Sequence, residues 1–113
     1  MIRMTALAAL LIALVPNAAM AKSTRFWNLT ANTITSLQLS PAGKNAWGPN
    51  QTANDSDGAV DHDERLKITG AASGVYDVKF VDKGGRTCVV KNIQVKEEVV
   101  FAIEEKDLQA CSR

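Results

Sequence analysis

Apolar and polar residues alternate with a period of two over most of the chain beyond residue 22, the signature of half-buried strands. Arg25-Phe26-Trp27-Asn28-Leu29-Thr30 and the run 34–39 are rich in β-branched and apolar residues. They predict two strands, with Asn32-Thr33 as a hairpin turn between them. Ser40-Pro41-Ala42-Gly43 closes the second, because proline cannot donate to a ladder and glycine accepts turn dihedrals. Alternation resumes at 64–69, with Leu66 and Ile68 on the buried face, and after a turn at 70–74 continues through 75–81. There Tyr76, Val78 and Phe80 share one face, and Asp77 and Lys79 the other. Asp82-Lys83-Gly84-Gly85 predicts a second hairpin turn, returned by 86–91. Ile93-Gln94-Val95 and 99–103 alternate on either side of Glu97-Glu98, and 104–110 fits one helical turn leading to Cys111.

Seven short strands with little helix predict an all-β protein, a single small antiparallel β-sandwich of immunoglobulin-like type, with an open barrel as the alternative. Its expected core is Leu37, Leu39, Leu66, Ile68, Tyr76, Val78, Phe80, Val99, Phe101 and Ile103. Residues 43–63 break the pattern, with few apolar side chains and many Asn, Asp, Gly and Pro. They read as one long loop and the variable face of the domain; connections of that length are usually functional or disordered.

The first 21 residues belong to a different pattern. Arg3 supplies a positive start, residues 6–15 form an unbroken apolar run, and Ala19-Met20-Ala21 offers the small residues at which a secretory signal peptide is cut. Ten apolar residues reach about 15 Å as a helix, half of a bilayer core of roughly 30 Å, so the run does not predict a membrane span. The expected organisation is a signal peptide at 1–21 and one β-sandwich domain at 22–113, in the periplasm or secreted. The whole chain carries 13 Lys and Arg against 12 Asp and Glu. Loss of Arg3 balances the two, leaving no electrostatic pull toward nucleic acid. In an oxidising compartment Cys88 and Cys111 most simply form one disulfide. Free thiols or a redox role are the alternatives, and no C-x-x-C motif supports the latter.

Five short pieces, Asn28-Leu29-Thr30, Ser40-Pro41-x-Gly43, Trp47-Gly48, Tyr76-Asp77-Val78 and Asp82-x-Gly84, stand in this order along nearly the whole mature chain. In this the chain resembles an uncharacterised family of small exported bacterial proteins. The resemblance implies a small β-sandwich and no particular activity.

The densest charge lies at the end of the long loop, where Asp55, Asp57, Asp61, Asp63 and Glu64 crowd together. Hard oxygen ligands in this number suit calcium. Read as a twelve-residue loop, 53–64 places Asp55 and Asp57 at positions three and five, Gly58 at six, Asp61 at nine and Glu64 at twelve. That register resembles an EF-hand loop, but Ala53 stands where the first acidic ligand belongs and the flanks are not helices. The competing expectation is a solvated acidic loop that keeps the protein soluble or blunts a sheet edge. His62, the single histidine, is poorly partnered for zinc or copper and for catalysis. Neighbouring carboxylates such as Glu97-Glu98 point to opposite faces of a strand, and no serine sits in a G-x-S-x-G turn.

Of the adjacent Phe26 and Trp27, one faces the core and the other does not; Trp47, beside Gly48, is placed to cap an end of the sandwich or to bind with the acidic loop. Three N-x-S/T tripeptides, at Asn28, Asn50 and Asn54, read as turn residues in a bacterial chain. The functional expectation is an exported, non-enzymatic binding or accessory domain for a protein or small ligand, with no cofactor other than a possible calcium ion. A weak calcium-binding protein and, more remotely, a small secreted enzyme are the alternatives.

Overall fold

The alternating runs form seven strands: β1 Arg25–Leu29, β2 Ile34–Pro41, β3 Arg65–Lys67, β4 Gly74–Asp82, β5 Thr87–Val95, β6 Val100–Glu104 and β7 Ala110–Ser112. They lie in two sheets, one ordered β3-β1-β6 and the other β2-β4-β5-β7. The computed structural model describes residues 23–113; the expected signal peptide lies outside them. The inward side chains of both sheets meet in one core. Phe26, Leu66, Phe101 and Ile103 come from the first sheet, and Leu37, Leu39, Val78, Phe80, Cys88, Val90 and Val95 from the second. Phe26 and Phe101 are register partners, with tilted rings whose centroids are 5.6 Å apart.

Several sequence expectations change on folding. Residues 25–30 and 34–39 do not form a hairpin, because β1 and β2 lie in different sheets and the turn between them crosses from one to the other. The sandwich is not wholly antiparallel, since β1 runs parallel to β6. Runs 86–91 and 93–95 are one strand, β5, with an irregularity where Tyr76 pairs with Ile93 but Val78 with Val90. Asn92 takes a left-handed φ of 60° there. Asp77 keeps the face opposite Val78 and Phe80 but is buried there, and its carboxylate accepts the N–H of Gly43, from the segment after β2, at 3.0 Å and of Asn92, at the β5 irregularity, at 3.1 Å. The Gly43 bond, opposed by burial and aided by Asn92 and Lys91, holds this carboxyl below its ordinary value. Val99, expected in the core, is 49% exposed. The turn Lys96–Val99, closed by the Val99 N–H to the Lys96 carbonyl and by a left-handed Glu98, delivers β6 only from Val100, so strand parity does not extend back to Val99. Tyr76 packs at the core margin with its hydroxyl on the Ala72 carbonyl. The 104–110 segment holds a 3₁₀ turn at Glu105–Asp107.

Two devices fasten the C-terminal end. Cys88 on β5 and Cys111 on β7 face each other in register and form the expected disulfide. The second is a clamp around buried Asp82. Its Oδ1 accepts the Arg86 N–H at 3.0 Å, and its Oδ2 the Arg86 Nε at 2.9 Å and the Asn32 amide at 3.3 Å. Arg86 reaches on to Glu105 at 2.6 Å, and Glu105 accepts the Ala31 N–H at 2.8 Å. The β4–β5 turn requires glycine here, because a Cβ on Gly84 would stand 2.7 Å from the Asn32 amide nitrogen. Burial pushes the Asp82 carboxyl up, but the bonds from Arg86 and Asn32 outweigh it and leave it lowered. Hydrogen bonds from Arg86 and then Ala31 lower Glu105, while Glu105 and Asp82 raise Arg86.

Cys111→Ser is expected to lower unfolding free energy by about 3 kcal/mol, the chain-entropy value for a loop of this size, measured by denaturant titration. Because the folded-state carboxyls of Asp82 and Glu105 lie below their unfolded values, their stabilisation is fully present above about pH 4 and is lost as pH falls through the lowered values. The melting temperature should therefore drop on acidification below about pH 4, and drop less steeply in Asp82→Asn.

Candidate functional site

The outward face of β1 is the least self-sufficient surface of the protein. Strand parity sends Phe26 inward and Trp27 outward, as the adjacent aromatic pair predicts, and Trp27 is half-buried. In register, Trp27 stands between Arg65 on β3 and Ala102 on β6, while Arg25 stands between Lys67 and Val100. The indole is fixed from two directions. Its Nε1 donates to Asp63 Oδ1 at 2.9 Å, and the Arg65 guanidinium stacks over its ring with Cζ 4.0 Å from the centroid. Asp63 reaches the indole from a left-handed backbone, φ 68°, at the end of the acidic loop.

Arg25, Arg65 and Lys67 are exposed on this face, and Arg25 lies directly opposite Lys67. Like charges paired across strands are destabilising. No compensating carboxylate lies within ion-pair distance of these three: among the described residues the ion pairs are Arg86 with Asp82 and with Glu105. At the foot of the face a recess of about 450 Å³ is lined by Ser23, Arg25, Glu98, Val99 and Val100. The arrangement offers an immobilised aromatic edge, a row of unneutralised cations and an apolar recess, suited to an anionic group docked beside a flat ring. Sequence reasoning singled out Trp27 but missed its basic neighbours. Their convergence depends on β3, which is remote in sequence, pairing with β1.

The acidic loop behaves differently from a solvated loop. Residues 43–63 contain a 3₁₀ turn at Gln51–Asn54, and Gln51, Thr52 and Val60 are buried. The Gly48 N–H donates to the Leu39 carbonyl, Asn50 Oδ1 accepts the Leu37 N–H, and Ile34 and Val60 exchange both main-chain bonds. Each of these closes the outer edge of β2, the edge-blunting expectation in concrete form.

Three of the four carboxylates proposed for calcium are engaged within this fold. Asp55 Oδ2 accepts the Asp57 N–H, Asp61 Oδ1 accepts the Thr33 hydroxyl, and Glu64 Oε1 accepts the Asp61 N–H. The Asp57 side chain is exposed and makes no such bond. Among the described residues no three His, Cys, Asp or Glu side chains converge as a metal-ligating group. His62 sits 2.7 Å from the Thr30 carbonyl through Nδ1. Trp47 lies over the Lys79 ammonium, 4.6 Å from its ring centroid, on the outer side of the four-stranded sheet and not across an end of the core. Asn28, Asn50 and Asn54, the three N-x-S/T asparagines, all spend their amides on internal hydrogen bonds.

No family model matches the chain, and neither a curated protein nor a solved structure matches it. Among the described residues no helix is long and apolar enough to cross a membrane.

Because Asp55, Asp61 and Glu64 already accept hydrogen bonds within the fold, millimolar calcium and EDTA are each expected to leave the melting temperature and the protease resistance of 53–64 unchanged. A calcium-dependent rise in either would assign Asp55, Asp57, Asp61 and Glu64 to a metal.

Proposed function

We propose that the chain is an exported, non-enzymatic binding or accessory module, an immunoglobulin-like β-sandwich acting in the periplasm or outside the cell. Its binding surface is the outer face of the three-stranded sheet, and its partner presents anionic groups to Trp27, Arg65 and Lys67. The observation that carries this reading is the row of cations without carboxylate partners around an indole held by Asp63 and Arg65. Folding alone gains nothing from Arg25 opposite Lys67, and sequences that break a local rule usually do so where they function. A fixed indole loses little conformational freedom on binding, which favours affinity. The leader-like start of the chain and the disulfide support an oxidising, extracytoplasmic setting. The face is open, and the recess at its foot has Arg25 and Glu98 as its titratable lining, which supports a binding role.

The test uses a soluble acidic polypeptide, poly-L-glutamate, with a Trp47→Phe background so that fluorescence reports Trp27 alone. Titration at low ionic strength should shift the emission, and the response should fade as salt shortens the screening length from about 10 Å at 0.1 M to about 3 Å at 1 M. Lys67→Glu and Arg65→Gln should each weaken it several-fold. A flat titration at low salt, or one indifferent to both substitutions, would remove this face from consideration.

A further inference from the structure

Two sheets have four edges, of which two are covered by loop bonds and a third is very short. The loop residues Gly48, Asn50 and Val60 bond along β2, and the Asn54 amide donates to the Lys67 carbonyl of β3 at 2.8 Å. The third, β7, is three residues long and pinned through Cys111 to β5. The fourth edge, β6, has β1 on one side and no strand on the other. It follows two exposed valines, or rather begins within them: Val99 is 49% and Val100 41% exposed. An edge with no strand beyond it can pair with another chain.

We propose that β6 is a self-association edge, pairing antiparallel with β6 of a second copy about a two-fold axis at Ala102. Main-chain direction fits. The Glu104 N–H donates to Asp107 Oδ2 and so points away from β1, and pairing at that residue requires the Asp107 side chain to swing aside. Alternate residues of a strand direct their main-chain groups to the same side, which places the N–H and C=O of Ala102 on the open side as well. Two copies of Ala102 can then exchange both bonds, and their small side chains let the edges approach. Side-chain parity also fits, because Phe101 and Ile103 lie opposite one another and keep the apolar layer continuous.

Charge selects a second copy over an unrelated strand. In this register Glu104 of one copy stands beside Val100 of the other, on the outer face where Arg25 flanks Val100. Arg25, which has no ion pair within its own chain among the described residues, gains one, and symmetry makes the pair twice. Trp27, Ala102 and their two symmetry copies fall in one cross-strand row, so the two indole-bearing strands lie about 14 Å apart, three strand spacings, on one six-stranded surface. A five-residue edge buries well under the roughly 1,200–2,000 Å² of stable complexes, so the dimer is weak and appears only with rising concentration.

Sedimentation equilibrium of the purified protein from about 1 µM to 1 mM, a range that brackets micromolar to millimolar dissociation constants, tests this. The weight-average mass should climb toward twice the monomer value. Arg25→Glu and Glu104→Arg should each raise the dissociation constant about tenfold, because two ion pairs turn repulsive at once, and the double variant should restore it. Retained melting temperature in each variant shows that the monomer still folds. A monomer across the whole range, or a dimer indifferent to both single reversals, would overturn the proposal. The readout is mass, so it stands or falls separately from binding of an acidic partner at Arg65 and Lys67.

Discussion

One fully satisfied buried amide holds the two sheets in their relation. Asn28 is the last inward residue of β1, and it is completely buried. Its Nδ2 donates to the carbonyls of Asn32 and Val60, and its Oδ1 accepts the N–H and hydroxyl of Thr30. Its own main chain also accepts from Asp63 and donates to Glu64. The side chain's two hydrogens and two lone pairs are all used, which is the condition under which a polar group can sit in a core without a desolvation penalty left over. These bonds shape the turn by which the chain leaves one sheet and enters the other, and they anchor the acidic segment on which Trp27 leans. Were Asn28 apolar, the Val60 and Asn32 carbonyls and the Thr30 N–H would each lose a partner.

The segment from Gly43 to Asp63 follows from that anchorage. It runs along the side of the sandwich where β2 and β3 would otherwise expose their edges, and its polar residues are used for main-chain bonds. Asn50 caps its 3₁₀ turn and accepts from β2 in the same stroke, and Gln51 holds Thr69 beyond β3. Its acidity is thus compatible with a protective strap, since a charged, heavily hydrogen-bonded edge cover resists pairing with other chains. The opposite edge, β6, is bonded only at the Glu104 N–H, by Asp107, and among the described residues no strand lies beyond it.

The electrostatics divide in the same way. The charge of buried Asp82 is neutralised: Asp82, half-buried Arg86 and exposed Glu105 join the β1–β2 turn, the β4–β5 hairpin and the C-terminal 3₁₀ turn in one chain of bonds. Exposed charge on the three-stranded sheet is left unbalanced, with Arg25 facing Lys67 and Arg65 lying on Trp27. The proposed anionic partner gives the unbalanced set a use that folding does not.

Strand periodicity determined much by itself. It located β1, β2, β3, β4 and β6, marked the turn at Asp82–Gly85, and correctly assigned Leu37, Leu39, Leu66, Ile68, Val78, Phe80, Phe101 and Ile103 to the core, because a period of two leaves only one face to bury. The cysteine pair was legible too, two thiols having a single intramolecular pairing. Tertiary structure decided the rest. Which strands become neighbours is a long-range matter, so the parallel β1–β6 pairing, the crossing after Asn28 and the burial of Asp77 under the segment after β2 leave no local signal. The core roles of Val60 and of the polar Gln51 and Thr52 were hidden for the same reason, since burial of an isolated residue in a polar stretch depends on what folds over it. The basic face around Trp27 exists only once β3 lies beside β1, because Arg65 and Lys67 are separated from Arg25 by the whole of β2 and the loop that closes it.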